Sequence, residues 1–145
     1  MIKESAHRLA LLDTHIWIWL VTDNPRVQSS PFIKKIKEFE AQHGLRVSVI
    51  SIWEIGMLHA KGRLELPFSP HEWIQKALAA PGIRIAELTP EIALDSAHFL
   101  KGYPGGDPAD RMILTTAKSL GATLVTADQK MLKCAKEHHW ESLSP

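Results

Sequence analysis

Hydrophobic positions along the chain follow two patterns that alternate. Five short apolar runs show little strict alternation: Leu9 to Leu12, Arg46 to Ile50, Arg84 to Leu88, Thr123 to Val125, and a weaker one at Trp140 to Leu143. Runs of this kind suit strands of a parallel sheet covered on both faces. Between them, apolar residues recur at helical spacing. Thr14 to Val21 continues from the first run, Pro31 to Gln42 carries Phe32, Ile33, Ile36 and Phe39, and Ser51 to Ala60 follows the second run. Ser69-Pro70 opens a helix through Leu78, Thr89-Pro90 one through Leu100, and Asp107-Pro108 one that Gly121 stops. Strand alternating with helix predicts right-handed βαβ units. The expected fold is α/β: a three-layer α/β/α sandwich with a short central parallel sheet, formed as one domain over residues 1–145.

Composition narrows the classes. A chain of 145 residues is one domain of ordinary size, large enough to bury a core. Its one cysteine, Cys134, excludes a disulfide framework and a Cys-rich zinc site. The formal charge of +1 argues against a bulk polyanion binder. The apolar stretch from Leu9 to Val21 is broken by Asp13 and His15 and is shorter than the ~20 residues a bilayer span requires. No signal-peptide pattern is evident, so a cytoplasmic protein with no membrane partner is expected.

The acids are informative by position. Asp13 follows the first strand, Glu54 lies four residues past Ile50, and Asp128 three past Val125; Asp107 and Asp110 open the helix that feeds the fourth strand. In an open parallel sheet, ligands bind beyond the carboxyl ends of the strands, at a switch in strand order. Taken singly, each acid has a structural explanation. Ser51 to Glu54 reads as a capping box, and Asp107-Pro108-Ala109-Asp110 as a capped helix start. Thr126 can cap the last long helix with Asp128 in its first turn, and Asp13 can cap the first helix. Glu91 occupies a similar junction and is read as a capping residue only. The conjunction says more. Asp13 lies between Leu11-Leu12 and Ile16-Trp17, where an acid is costly unless paired, hydrogen-bonded or metal-bound. Gathered carboxylates repel one another, and a hard divalent cation such as Mg²⁺ or Mn²⁺ removes that repulsion and suits phosphoryl chemistry.

Four blocks carry a resemblance: Leu11-Leu12-Asp13-Thr14-His15, Ser51-Ile52-Trp53-Glu54-Ile55-Gly56, Gly106-Asp107-Pro108-Ala109-Asp110-Arg111-Met112-Ile113 and Leu124-Val125-Thr126-Ala127-Asp128. In this order they resemble the PIN domain and, more narrowly, VapC-type toxins of bacterial toxin–antitoxin pairs. The resemblance covers nearly the whole chain. It implies a metal-dependent endoribonuclease with Asp13, Glu54, Asp110 and Asp128 as catalytic and metal-holding acids. It further implies Asp107 as an auxiliary ligand or helix cap, Thr126 as a supporting hydroxyl, and Mg²⁺ or Mn²⁺ as cofactor. An RNA substrate, a cognate antitoxin and a homodimer are the implied partners. The family order also places the first strand between the second and fourth. Some relatives carry a Lys early in the Glu-containing helix; here Leu58 or His59 stands there, and no role is transferred.

Other chemistries fit less well. The eight histidines lack zinc-site spacing, and His15 is expected to be packed. The five tryptophans are expected mostly in the core or an interface, with Trp17 or Trp19 a candidate subunit contact. The lysine groups near Lys34, Lys61 and Lys130 read as solvated helix faces, and Arg111 as the partner of a carboxylate. Gly105-Gly106 gives a flexible approach to the site but lacks the Lys of a phosphate-binding loop. Cys134 has no nucleophile context and is expected half-buried. A haloacid-dehalogenase-like phosphatase needs a second Asp at position 15, where His stands, and a receiver domain needs an acidic pair that is absent. A non-catalytic RNA- or protein-binding module remains as an alternative. With four acids assigned to a metal pocket, 17 basic side chains face 12 remaining acidic ones, so the exterior carries a surplus of five positive charges.

Overall fold

Period-two alternation in the first strand decides how the layers form. A computed structural model describes residues 8–98 and 107–145. In β1 (Ala10–Leu12), Ala10 and Leu12 point to one face and Leu11 to the other, and all three are buried. One face is covered by α1 (Thr14–Val21), α2 (Ser30–Ala41) and α4 (Pro70–Leu78), which contribute Ile16, Trp17, Phe32, Ile36, Trp73 and Ala77 to its core. The other is covered by α6 (Pro108–Leu120) and α7 (Gln129–Glu137), through Ile113, Leu114, Ala117, Met131 and Ala135. Burial on both sides explains why the strand reads as continuous hydrophobic sequence.

β2 (Leu45–Ser48), β3 (Ile83–Ala86), β4 (Thr123–Val125) and β5 (Ser142–Leu143) complete the sheet. The order is β3-β2-β1-β4-β5, and every pairing is parallel. The expected α/β sandwich with a parallel sheet is what forms, with β1 between β2 and β4. The order reverses at β1, so its carboxyl end is the switch point. Among the described residues no helix is long and apolar enough to cross a membrane.

Local chemistry sets the element ends. α6 begins with Asp107 as N-cap, its side chain accepting from the Ala109 amide, and Pro108 follows in the first turn; it ends at Gly121, held at φ 60°. That left-handed C-terminus is cheap only for glycine. Three sequence expectations fail at element ends. Val49-Ile50 is not strand: the Ser48 hydroxyl caps α3 (Val49–Ala60) by accepting from the Ile50 amide at 3.1 Å. Thr126 does not cap α7; Asp128 does, accepting from the Lys130 and Met131 amides. β3 likewise ends at Ala86, short of the expected Leu88. The helix expected to run through Leu100 is α5 (Pro90–His98) as far as it is described; Leu100 and Gly105-Gly106 lie outside the described residues.

The tryptophans divide. Trp17 and Trp73 meet edge-on in the core with ring centroids 5.7 Å apart. Core burial removes Trp17 as a subunit contact, because it lies on the sheet-facing side of α1. Trp53 is 57% exposed. Cys134 is a buried free thiol, packed in the core beneath α7, deeper than expected.

Candidate active site

Five carboxylates meet beyond the carboxyl end of the sheet. Asp13, Glu54, Asp107, Asp110 and Asp128 line one cavity of about 400 Å³, together with His15, Trp19 and Ala127. The adjacency of β1, β2 and β4 brings them there. Asp13 directly follows β1, α3 leaves β2 carrying Glu54, and Asp128 lies three residues past β4. The start of α6 supplies Asp107 and Asp110. The control acid Glu91 stays exposed on α5, outside this cavity. A larger groove between α1, α2 and α4, about 720 Å³, is walled mainly by apolar side chains and holds no such cluster.

Asp13 is the most firmly held. It is 6% exposed; Oδ1 accepts from the Thr14 amide at 2.7 Å and Oδ2 from the Thr126 hydroxyl at 2.7 Å. Its own amide donates to the Val125 carbonyl at 2.8 Å, tying the acid to the end of β4. Thr126 also accepts from the Asp128 amide at 3.0 Å, so one hydroxyl links two acids. Thr126 thus stands between Asp13 and Asp128 and is not the helix cap expected of it.

Glu54 is positioned by residues the sequence reading missed. Glu54 Oε1 lies 2.6 Å from Thr14 Oγ1, which lies 2.8 Å from Ser51 Oγ. Thr14 has one hydroxyl proton; it donates to the carboxylate and accepts from Ser51. The Ser51–Glu54 capping box is overturned. Because α3 starts at Val49, Ser51 is already inside the helix and buried, and Glu54 lies beyond the first turn. The available signal was Thr14 adjacent to Asp13 and Ser51 one turn before Glu54.

Charge and burial act together on these groups. Burial raises Asp13 above its ordinary value despite the Thr126 and Thr14 hydrogen bonds. Burial likewise raises Glu54, with further repulsion from Asp13 and Asp107. Asp110 is pushed up to about 7, first by burial and then by repulsion from Asp13, Asp107, Glu54 and Asp128. Among the described residues no Lys or Arg forms an ion pair with any of the five; the two ion pairs found are Arg8–Glu141 and Lys133–Glu137. Among the described residues Arg111 does not pair with a carboxylate as expected, and its buried Nε has no hydrogen-bond partner among them. His15 is exposed on the cavity wall and not packed, because it points off α1 opposite the core residues Ile16 and Trp17.

The five carboxylates offer oxygen donors, which suit a hard divalent cation. Among the described residues no three of these side chains close around a single point as a preformed cage.

Residues 10–137 match the PIN domain family. The chain is 31% identical over 121 residues to Ribonuclease VapC22 of Mycobacterium tuberculosis, covering 83% of this chain and 88% of that one. Its fold is similar to VapBC2 from Rickettsia felis, solved bound to a DNA fragment from its promoter: TM-score 0.66, 15% identity, 94% of this chain and 98% of that one. FitAcB from Neisseria gonorrhoeae is also similar, with TM-score 0.59, 19% identity, and 93% and 96% covered.

Proposed function

The chain belongs to the PIN domain family, and we propose that it is a divalent-metal-dependent endoribonuclease acting as the toxin of a toxin–antitoxin pair. One observation carries the reading: Asp110 faces four other carboxylates, and among the described residues no basic side chain is paired to any of them. Such a cluster is stable at neutral pH only with protons or a cation.

Asp13, Glu54, Asp110 and Asp128 would hold Mg²⁺ or Mn²⁺, with Asp107 as an additional ligand from the α6 N-terminus. When bound, the cation supplies Lewis-acid stabilisation at the scissile phosphate and favours ionisation of an attacking water. The chain's own groups supply orientation. Thr126 and the Thr14 amide hold the two oxygens of Asp13, and Thr14 with Ser51 holds Glu54. The reaction assigned is direct hydrolysis by water, leaving a 5′-phosphate and a 3′-hydroxyl, as the family resemblance implies. The partners assigned are RNA, a second copy of the chain, and an antitoxin protein with a segment that covers the acidic cavity. The 31%-identical relative named as a ribonuclease supports the substrate class.

Asp13→Asn tests the reading. Asn retains the N-cap oxygen but loses the charge, so the circular dichroism spectrum should be unchanged. RNA cleavage with Mg²⁺ or Mn²⁺ should fall by about a thousandfold, the loss of several kcal/mol of electrostatic stabilisation. Undiminished cleavage by this variant would sink the assignment. Cation binding by calorimetry without cleavage of any RNA pool would instead favour a non-catalytic module.

A further inference from the structure

The cavity has one wall that is not acidic. His15 and Trp19 stand one turn apart on the same face of α1, four residues apart in sequence, and both line the cavity with the carboxylates. Their ring centroids are 6.0 Å apart at an interplanar angle of 58°. Trp19 is half-buried and packs partly against the core. The Arg26 guanidinium lies over its ring, 5.1 Å from the centroid, and Arg26 does not itself line the cavity. Among the described residues Arg26 forms no ion pair.

From this arrangement the geometry points to a nucleobase platform: Trp19, with His15 beside it, stacks a base of single-stranded RNA flanking the scissile phosphate. The inference rests on the ribonuclease reading and specifies the substrate form. Of the side chains lining the cavity, His15 and Trp19 present aromatic rings, and an indole face stacks any base. A base is joined to its phosphate through one sugar, so a platform sharing the cavity with the phosphate site is within reach of the neighbouring nucleotide. The guanidinium over Trp19 holds the indole in place and leaves donors for the RNA backbone. A base inside a duplex has both faces covered by its neighbours, so the platform selects unpaired RNA.

Binding is the readout that isolates this role. In the Asp13→Asn background with Mg²⁺ present, fluorescence anisotropy would follow a short labelled single-stranded RNA. Trp19→Ala is expected to weaken binding roughly ten- to hundredfold, while Trp19→Phe keeps most of it. Cation affinity by calorimetry should be the same with Trp or Ala at this position. A scan of single abasic positions along the RNA should reveal one position whose missing base costs Trp19-containing protein affinity and costs the Trp19→Ala protein nothing. Binding by Trp19→Ala within twofold of its parent, or abasic sensitivity that persists in it, overturns the platform while leaving the nuclease reading intact. Wild-type protein that neither binds nor cleaves RNA overturns both.

Discussion

Thr126 shows how much a single hydroxyl can organise. It donates to Asp13 and accepts from the Asp128 amide, so its loss frees one acid and loosens the start of α7. Thr126→Val keeps the volume and removes both bonds. Groups that orient metal ligands typically cost ten- to hundredfold in metal affinity when lost. A drop of about tenfold in Mn²⁺ affinity by calorimetry is therefore expected, with cleavage reduced in step; unchanged affinity would make Thr126 only a packing residue. At this scale the sequence was only partly readable. Asp13 drew attention because an acid between Leu12 and Ile16 needs a partner. Which hydroxyl served which acid was not readable, since Thr14 meets Glu54 across 40 residues and Thr126 meets Asp13 across 113.

Elements were readable as types, less so at their ends. Helical spacing and Pro-containing starts placed α4 and α6 closely. The β2–α3 junction was misplaced because Val49 and Ile50 are β-branched and strand-like by composition, yet Ser48 ends the strand and caps the helix. Glycines at element ends give a separable test. Gly121 at φ 60° has open space where a Cβ would stand, so Gly121→Ala should cost about 1–2 kcal/mol, the left-handed penalty alone. Gly82 at φ 81° would set a Cβ 2.4 Å from the Glu40 carbonyl oxygen, against backbone that cannot move aside. Gly82→Ala should therefore be the more destabilising by at least ~1 kcal/mol in urea unfolding. Equal costs would show that the α2–β3 approach relaxes freely.

At the scale of the whole molecule, the fold gathers carboxylates from four places at its own expense. A carboxyl with a raised folded pKa keeps its proton to higher pH when folded than when unfolded. Between the ordinary value of 3.8 and about 7 for Asp110, the folded state binds more protons. Stability therefore falls as pH rises through that window and is greatest below it. Metal-free protein should melt at a lower temperature at pH 7.5 than at pH 5.5, and Asp110→Asn should flatten that slope. Saturating Mn²⁺ should raise the melting temperature most at the higher pH, where the ionised acids bind it. An identical pH slope in wild type and Asp110→Asn would refute the strained cluster.

What the sequence determined by itself was the kind of element, the layering and the candidate acids. Those properties are written in local spacing: short continuous apolar runs or a period of 3.6, proline and glycine at ends, acids after apolar runs. The resemblance of four ordered blocks added the family. What only the tertiary structure decided was which neighbours those residues acquire. The order β3-β2-β1-β4-β5 sets Asp13, Glu54 and Asp128 side by side. It also turned Ser51 from a cap into a buried hydrogen-bond partner of Thr14, and His15 from a packed residue into a cavity wall. Long-range pairing has no local period, so no stretch of the chain records it; it exists only once both faces of the sheet are covered.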